Sequence, residues 1–273
     1  MRPVLFSVFG FDLQTYGLSK ALAVWISALL LARGFLRLGL SRDRAYSLVI
    51  WAAMWGFFGS KAYYLLEHLD TLTMHDFGGT GFTWYGGLLA GTTAAVVLIR
   101  RWAPPWRQVA GAAAVPLSVG YAVGRVGCLL SGDGTYGRPT SLPWGMRFPY
   151  GVVSTQVPVH PGPLYEAVAA LLIAGLLWWW GRHADGEAVF GGYLVLSGVA
   201  RLLVELVRTN QPVLVGLTQP QLWAILSMLV GVVLLTRSAL RSRPGGSGRI
   251  PHARSFGVPV HASPSSDLDR SDV

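Results

Sequence analysis

Residues 110–127 read AGAAAVPLSVGYAVGRVG, an apolar run that ends by placing Arg125 inside Gly124-Arg125-Val126-Gly127. A guanidinium near the centre of a bilayer costs about 2.5–3.5 kcal/mol even on the lenient insertion scale. The chain makes the same placement at residues 201–208, RLLVELVR. There Arg201, Glu205 and Arg208 follow i, i+4, i+7 spacing, so in a helix all three share one face. Several cations at membrane depth imply that an anion is held there. That points to an enzyme or a transporter rather than an inert anchor.

Composition gives the class. Hydrophobic residues make up 52% of the chain and charged residues 13%, against roughly 25% charged for a soluble domain, and mean hydropathy is +0.45. Runs of about 20 apolar residues fall near Tyr16–Leu36, Tyr46–Leu66, Phe82–Ile99, Val109–Leu130, Pro163–Trp180, Ala188–Val207 and Gln219–Leu235. The expected fold is an all-α integral membrane protein, a bundle of seven transmembrane helices, because lipid-exposed backbone must satisfy its own hydrogen bonds.

Short loops set the orientation. Arg37, Arg42 and Arg44 occupy the first loop, Arg100, Arg101 and Arg107 the third, Arg182 the fifth, and Arg237, Arg241 and Arg243 the tail. The second loop, residues 67–81, carries only acidic charge. By the positive-inside rule the N-terminus lies outside and the C-terminus in the cytoplasm. The net charge of +9 is thus divided among cytoplasmic loops, which favour anionic membrane lipid and exclude a nucleic-acid partner, since that needs the cations on one aqueous face. Cys128 is the sole cysteine, so intrachain disulfides are impossible and no metal site is expected. The membrane domain is expected over residues 1–240. Residues 241–273, rich in Pro, Gly, Ser and charge, read as a disordered cytoplasmic tail.

The polar motifs gather at the outer ends of these spans. Residues 131–162 form an outer loop so dense in Gly and Pro that turns rather than a helix are expected. It runs from Ser131-Gly132-Asp133 to His160-Pro161, and its position just after Arg125 lets it cap the same cavity. Gly86-Gly87 after Tyr85 permits close helix contact or ligand approach. Tyr16 with Lys20, and Lys61 with Tyr63 and Tyr64, pair a cation with aromatics near outer helix ends, where lysines also snorkel to headgroups. Tyr165 and Glu166 open the fifth span behind Pro163, which suits a first helical turn. Glu166 there suits the positive helix end whatever the function, or pairs with an arginine.

In this order, Tyr16-Gly17, Gly59-Ser60-Lys61, Tyr85-Gly86-Gly87, Gly124-Arg125-Val126-Gly127 with Ser131-Gly132-Asp133, His160-Pro161 with Leu164-Tyr165-Glu166, and Arg201 with Glu205 and Arg208 resemble bacterial prolipoprotein diacylglyceryl transferases over residues 3–236. The Gly-Arg-x-Gly block is the most specific part. The family usually has His where Tyr85 stands, Asn at Cys128, and Asn-Gly-Glu at Ser131-Gly132-Asp133. Arg125, Arg201, Glu205, His160, Tyr165 and Glu166 are retained, so the anion-holding set is intact while the acid–base and amide set is altered.

The resemblance implies a multi-pass enzyme of the bacterial cytoplasmic (inner) membrane. It would move a diacylglyceryl group from phosphatidylglycerol to the lipobox cysteine thiol of a prolipoprotein signal peptide, releasing glycerol 1-phosphate, without a cofactor. Arg125, Arg201, Tyr85, Glu205 and His160 are its candidate catalytic residues. Tyr16, Lys61, Gly86, Gly87, Gly124, Gly127, Ser131, Asp133, Tyr165, Glu166 and Arg208 are candidate substrate-binding residues. Guanidiniums stabilise a leaving phosphate in a low-dielectric site, and the thiol must become a thiolate. With Tyr85 where the family has histidine, the base would be Tyr85, or His160 or a carboxylate instead. A phenol with a reference pKa near 10 is a poor base at pH 7 unless neighbouring arginines lower that value. Other readings are a related transferase with a different acceptor, and a non-catalytic lipid-binding or anion-transporting protein.

Overall fold

The computed structural model describes residues 3–8, 11–77, 81–102 and 104–242. Among them are seven long helices: α1 Thr15–Arg37, α2 Arg42–Glu67, α3 Trp84–Trp102, α4 Trp106–Ser131, α5 Gly162–Trp180, α6 Gly186–Glu205 and α7 Gln219–Ser242. Three antiparallel hairpins precede or join them: β1 Val4–Val8 with β2 Phe11–Gln14, β3 Met146–Phe148 with β4 Thr155–Val159, and β5 Pro212–Leu214 with β6 Leu217–Thr218. Five helices, α1, α4, α5, α6 and α7, are long and apolar enough to cross a membrane. In α2, Arg42, Asp43, Arg44, Lys61 and Glu67 dilute the apolar character, and α3 ends in Arg100-Arg101. The outward faces of the spans are apolar, as at Leu171, Leu172 and Leu229, which suits contact with lipid. The protein is a multi-pass membrane protein.

Several boundaries differ from the sequence reading for identifiable reasons. α2 starts at Arg42, inside the expected basic loop, because Ser41 caps it by accepting from the Arg44 N–H at 3.4 Å. α4 runs to Ser131, so the outer loop begins only at Gly132, whose left-handed φ of 64° ends the helix. α7 continues to Ser242, two residues past the expected domain edge. The remaining tail lies outside the described residues.

α6 stops at Glu205 instead of carrying the Arg201–Arg208 face through. The carbonyls left open at its end accept from the outer loop. The Arg138 N–H reaches Val207 O at 2.8 Å, and the Arg138 side chain reaches Leu206 O.

α4 is the hub, packing on α1, α5 and α6, while α2 packs on α3 and α6 on α7. Small residues bring these pairs close. A Cβ on Gly86 would strike Gly59 O and Tyr63 Cβ, and one on Gly91 would lie 2.9 Å from Ala52 O. A Cβ on Gly127 would enter the Ser19 hydroxyl. Such stripes let membrane helices approach backbone to backbone. Pro116 interrupts the α4 ladder, and its carbonyl accepts from Ser27 Oγ at 3.0 Å, a bond to α1.

At the end of the bundle away from the hairpins, Glu187 is 1% exposed and pairs with Arg107 at 3.1 Å and with Arg241. Asp185 caps α6 by accepting from the Ala188 N–H at 2.9 Å and accepts again from Ser238. This fastens α4, α6 and α7 together opposite the site.

Candidate active site

Glu166, in the first turns of α5, is the centre of the hairpin-bearing end. It is 4% exposed, and every group around it comes from another element. From α4, Arg125 Nε stands 2.9 Å from Oε2 and Tyr121 OH donates to Oε1 at 3.0 Å. From α6, Arg201 Nη1 donates to Oε1. From the turn after α6, Arg208 Nη1 lies 3.5 Å from Oε2. Tyr121 also lies under Arg125, with the guanidinium 5.0 Å from its ring centroid. That is one helical turn of separation, which aligns the pair on one face.

A second carboxylate steadies Arg201. Its Nη2 donates to Glu205 Oε2 at 2.8 Å. The other oxygen, Oε1, accepts from Asn210 Nδ2 at 2.6 Å and Thr218 Oγ1 at 2.7 Å. Glu205 is therefore fully engaged at 5% exposure. With all three donors in place, its geometry suits holding Arg201.

Three guanidiniums face two carboxylates, leaving an excess of one positive charge (+3 − 2 = +1). Arg208 Nη1 is buried without a hydrogen-bond acceptor among the described residues, with Glu166 Oε2 3.5 Å away as an ion-pair partner. Burial, then the adjacent Arg201, pushes the Arg208 guanidinium below its ordinary value, against the opposing pull of Glu166. A buried donor without an acceptor is costly. An incoming oxyanion would satisfy Arg208 and neutralise the excess.

The expected residues divide accordingly. Arg125, Arg201, Arg208, Glu166 and Glu205 meet in one cluster. Tyr85 stacks on Trp223 of α7, centroids 5.5 Å apart, within electrostatic reach of Arg201 and Glu205. His160 Nδ1 faces Tyr165 OH at 3.2 Å, and Trp144 Nε1 donates to that hydroxyl at 2.8 Å. Tyr16 lies under Lys20, 4.7 Å from Nζ, and Lys61 lies over the rings of Tyr64 and Phe82.

Other expected residues make contacts within the chain. Gly86 and Gly87 seat α3 against α2, while Gly124 and Gly127 face Lys20 and Ser19 of α1. Ser131 Oγ donates to Cys128 O at 3.2 Å, and Asp133 accepts from Thr135 N and Oγ1 at 3.1 and 2.6 Å. The space beside Gly132 is filled by Gly151 and Tyr136, and that beside Gly134 by Val153. Cys128 is buried, with Arg125 Nη1 4.0 Å from Sγ.

Tyr121, Asn210, Thr218, Trp144 and Arg138 were not anticipated. Tyr121 sits four residues before Arg125, a spacing that carries the signal. The others depend on loop geometry with no local pattern.

The family model described as prolipoprotein diacylglyceryl transferase matches residues 3–237. Among similar proteins, the phosphatidylglycerol–prolipoprotein diacylglyceryl transferase of Clostridium tetani is 27% identical over 89% of this chain and 100% of its own. The Idiomarina loihiensis protein of the same name is 31% identical over 86% of this chain and 92% of its own. That of Leptospira interrogans is 35% identical over 50% of this chain and 44% of its own.

Proposed function

The chain belongs to the prolipoprotein diacylglyceryl transferase family, and from that premise we propose that it transfers a diacylglyceryl group from phosphatidylglycerol to the lipobox cysteine of a prolipoprotein. The single observation that carries the site assignment is the Glu166-centred cluster with its excess positive charge and the unsatisfied Arg208 Nη1. The donor phosphate enters beside Arg208 and Arg125, with Arg201 held in place by Glu205. The bond from the diacylglyceryl carbon to the phosphate oxygen breaks. Its electron pair leaves with glycerol 1-phosphate, and the thiolate sulfur bonds to that carbon as a thioether. Preorganised guanidiniums stabilise the charge that builds on the departing phosphate.

The thiol proton passes to His160. Both cluster carboxylates are occupied by arginines, and histidine is the side chain that most often moves protons in catalysis. Tyr165 OH hydrogen-bonds His160 Nδ1 and is itself held by Trp144 Nε1, which fixes the ring. Tyr85, within electrostatic reach of Arg201, orients the acceptor. Seven helices span the inner membrane with the N-terminus outside, placing this end of the bundle where signal peptides emerge. The tail after residue 242 is cytoplasmic.

The test is expression in cells depleted of their own transferase. Restored growth with diacylglyceryl-modified prolipoprotein is expected, and restoration should be lost with Arg125→Ala. Stable protein at normal abundance without modified prolipoprotein would redirect the assignment to another acceptor.

A further inference from the structure

The hairpin of β5 and β6 turns through Val215 and Gly216, both left-handed with φ of 51° and 73°. This is the two-residue turn that local chemistry fills with Asn-Gly or Asp-Gly, because both positions need positive φ. A β-branched valine there crowds its own backbone. Val215 is the sole non-glycine with positive φ among the described residues. It is also 88% exposed, with Val213 and Leu214 exposed beside it. Neither backbone preference nor packing within the chain accounts for an apolar, branched residue at that tip.

An apolar phase outside the chain does account for it. The hairpin joins the end of α6 to the start of α7, two helices long and apolar enough to cross a membrane. The outward surface of α6 continues towards the hairpin through Leu203 and Leu206, both exposed. We propose that residues 213–215 form an interfacial tip that inserts into the lipid leaflet at this end of the bundle and anchors the hairpin there. The root of the same hairpin carries Thr218, which donates to Glu205, and Glu205 holds Arg201. Lipid contact at the tip thus steadies a support of the arginine cluster, and the occupant is bilayer rather than substrate peptide.

The test uses the full chain in vesicles of phosphatidylglycerol and phosphatidylethanolamine, carrying a spin label on Val215→Cys. Cys128 is buried, and the unlabelled parent controls for its reaction. Collisions with dissolved oxygen should exceed those with a neutral nickel chelate, placing the label below the phosphates. A label on Val213→Cys gives the same reading if the first variant fails to fold. Val215→Asn, which suits the turn, should reduce turnover several-fold in vesicles while matching the parent in detergent micelles containing the same lipid. Free access of the nickel chelate would overturn the proposal, as would protection that appears only when a lipobox peptide is added. Unchanged vesicle turnover of Val215→Asn would overturn the link to the arginine cluster.

Discussion

Arg208 stands beyond the end of α6 and still reaches Glu166 on α5, its Nη1 3.5 Å from Oε2. The helix ends three residues earlier, so the turn that follows it, and not the i, i+7 spacing, delivers the third guanidinium. Arg125 and Arg201 complete the set from two further helix positions. Arg→Lys at Arg125, Arg201 or Arg208 keeps the charge but loses the planar fork. Each charge-assisted hydrogen bond is worth about 1.5–3 kcal/mol, so turnover with phosphatidylglycerol vesicles should fall roughly tenfold or more. Full activity in all three folded variants would remove phosphate binding from this cluster.

Thr218→Val deletes one of the two donors to Glu205 Oε1 while preserving side-chain shape. Glu205 then holds Arg201 less firmly. The expected result is a several-fold lower kcat with an unshifted pH profile, measured beside Glu205→Gln, which should behave alike. A pH optimum that moves in either variant would make Glu205 a proton carrier.

Tyr85→Phe keeps the ring that stacks on Trp223 and loses the hydroxyl near Arg201. Lower turnover with unchanged lipid binding is expected if the hydroxyl orients the acceptor. Tyr85→His restores the residue type usual in the family and should remain active, perturbing mainly the pH profile of peptide modification. A folded but inactive Tyr85→His would show that this chain has left the family's acid–base arrangement.

Gly86→Ala places a methyl group against Gly59 O and Tyr63 Cβ, where backbone cannot give way. Overpacking of this kind costs about 1–3 kcal/mol. Thermal denaturation in detergent should show a lower Tm, and Gly17→Ala, which meets nothing within 4 Å, should not.

Asp185 titrates outside the spans. Burial opposes its ionised form, but hydrogen bonds from Ser238 and from the Ala188 and Glu187 backbone hold its carboxyl below the ordinary 3.8. A lowered folded pKa means that the stability it gives is full above the ordinary value and is lost as pH falls through the lowered one. Ser238→Ala should lower stability near neutral pH, where this contribution is full, and shrink the further loss of stability on acidification. Identical acid profiles would place the acid transition elsewhere.

α1, α4, α5, α6 and α7 were legible because each is a long apolar run, a signal that survives without any tertiary information, while α2 and α3 carry more charge and a weaker version of that signal. The cation positions were legible for a related reason: a guanidinium in such a run is costly enough to stand out. Glu166 was seen as a helix-start residue that suits its position or pairs with an arginine, and its pairing with three arginines needed the structure. The end of α6 was missed because 201–208 has unbroken helical spacing. What stops the helix is the outer loop, through Arg138 bonding to the carbonyls of Leu206 and Val207. The Gly86-Gly87 pair read as ligand approach or helix contact, because a missing Cβ serves both, and Gly124 and Gly127 read as substrate-binding; the structure sets α2 against the first pair and α1 against the second.

Purified protein in vesicles, given a lipobox peptide, tests the central claim most directly when peptide mass and released glycerol 1-phosphate are followed together. With phosphatidylglycerol, one glycerol 1-phosphate should appear for each diacylglyceryl-modified peptide, and Arg208→Lys should lower both in step. Peptide left unmodified by the fully folded protein, or modified without glycerol 1-phosphate release, would contradict the account.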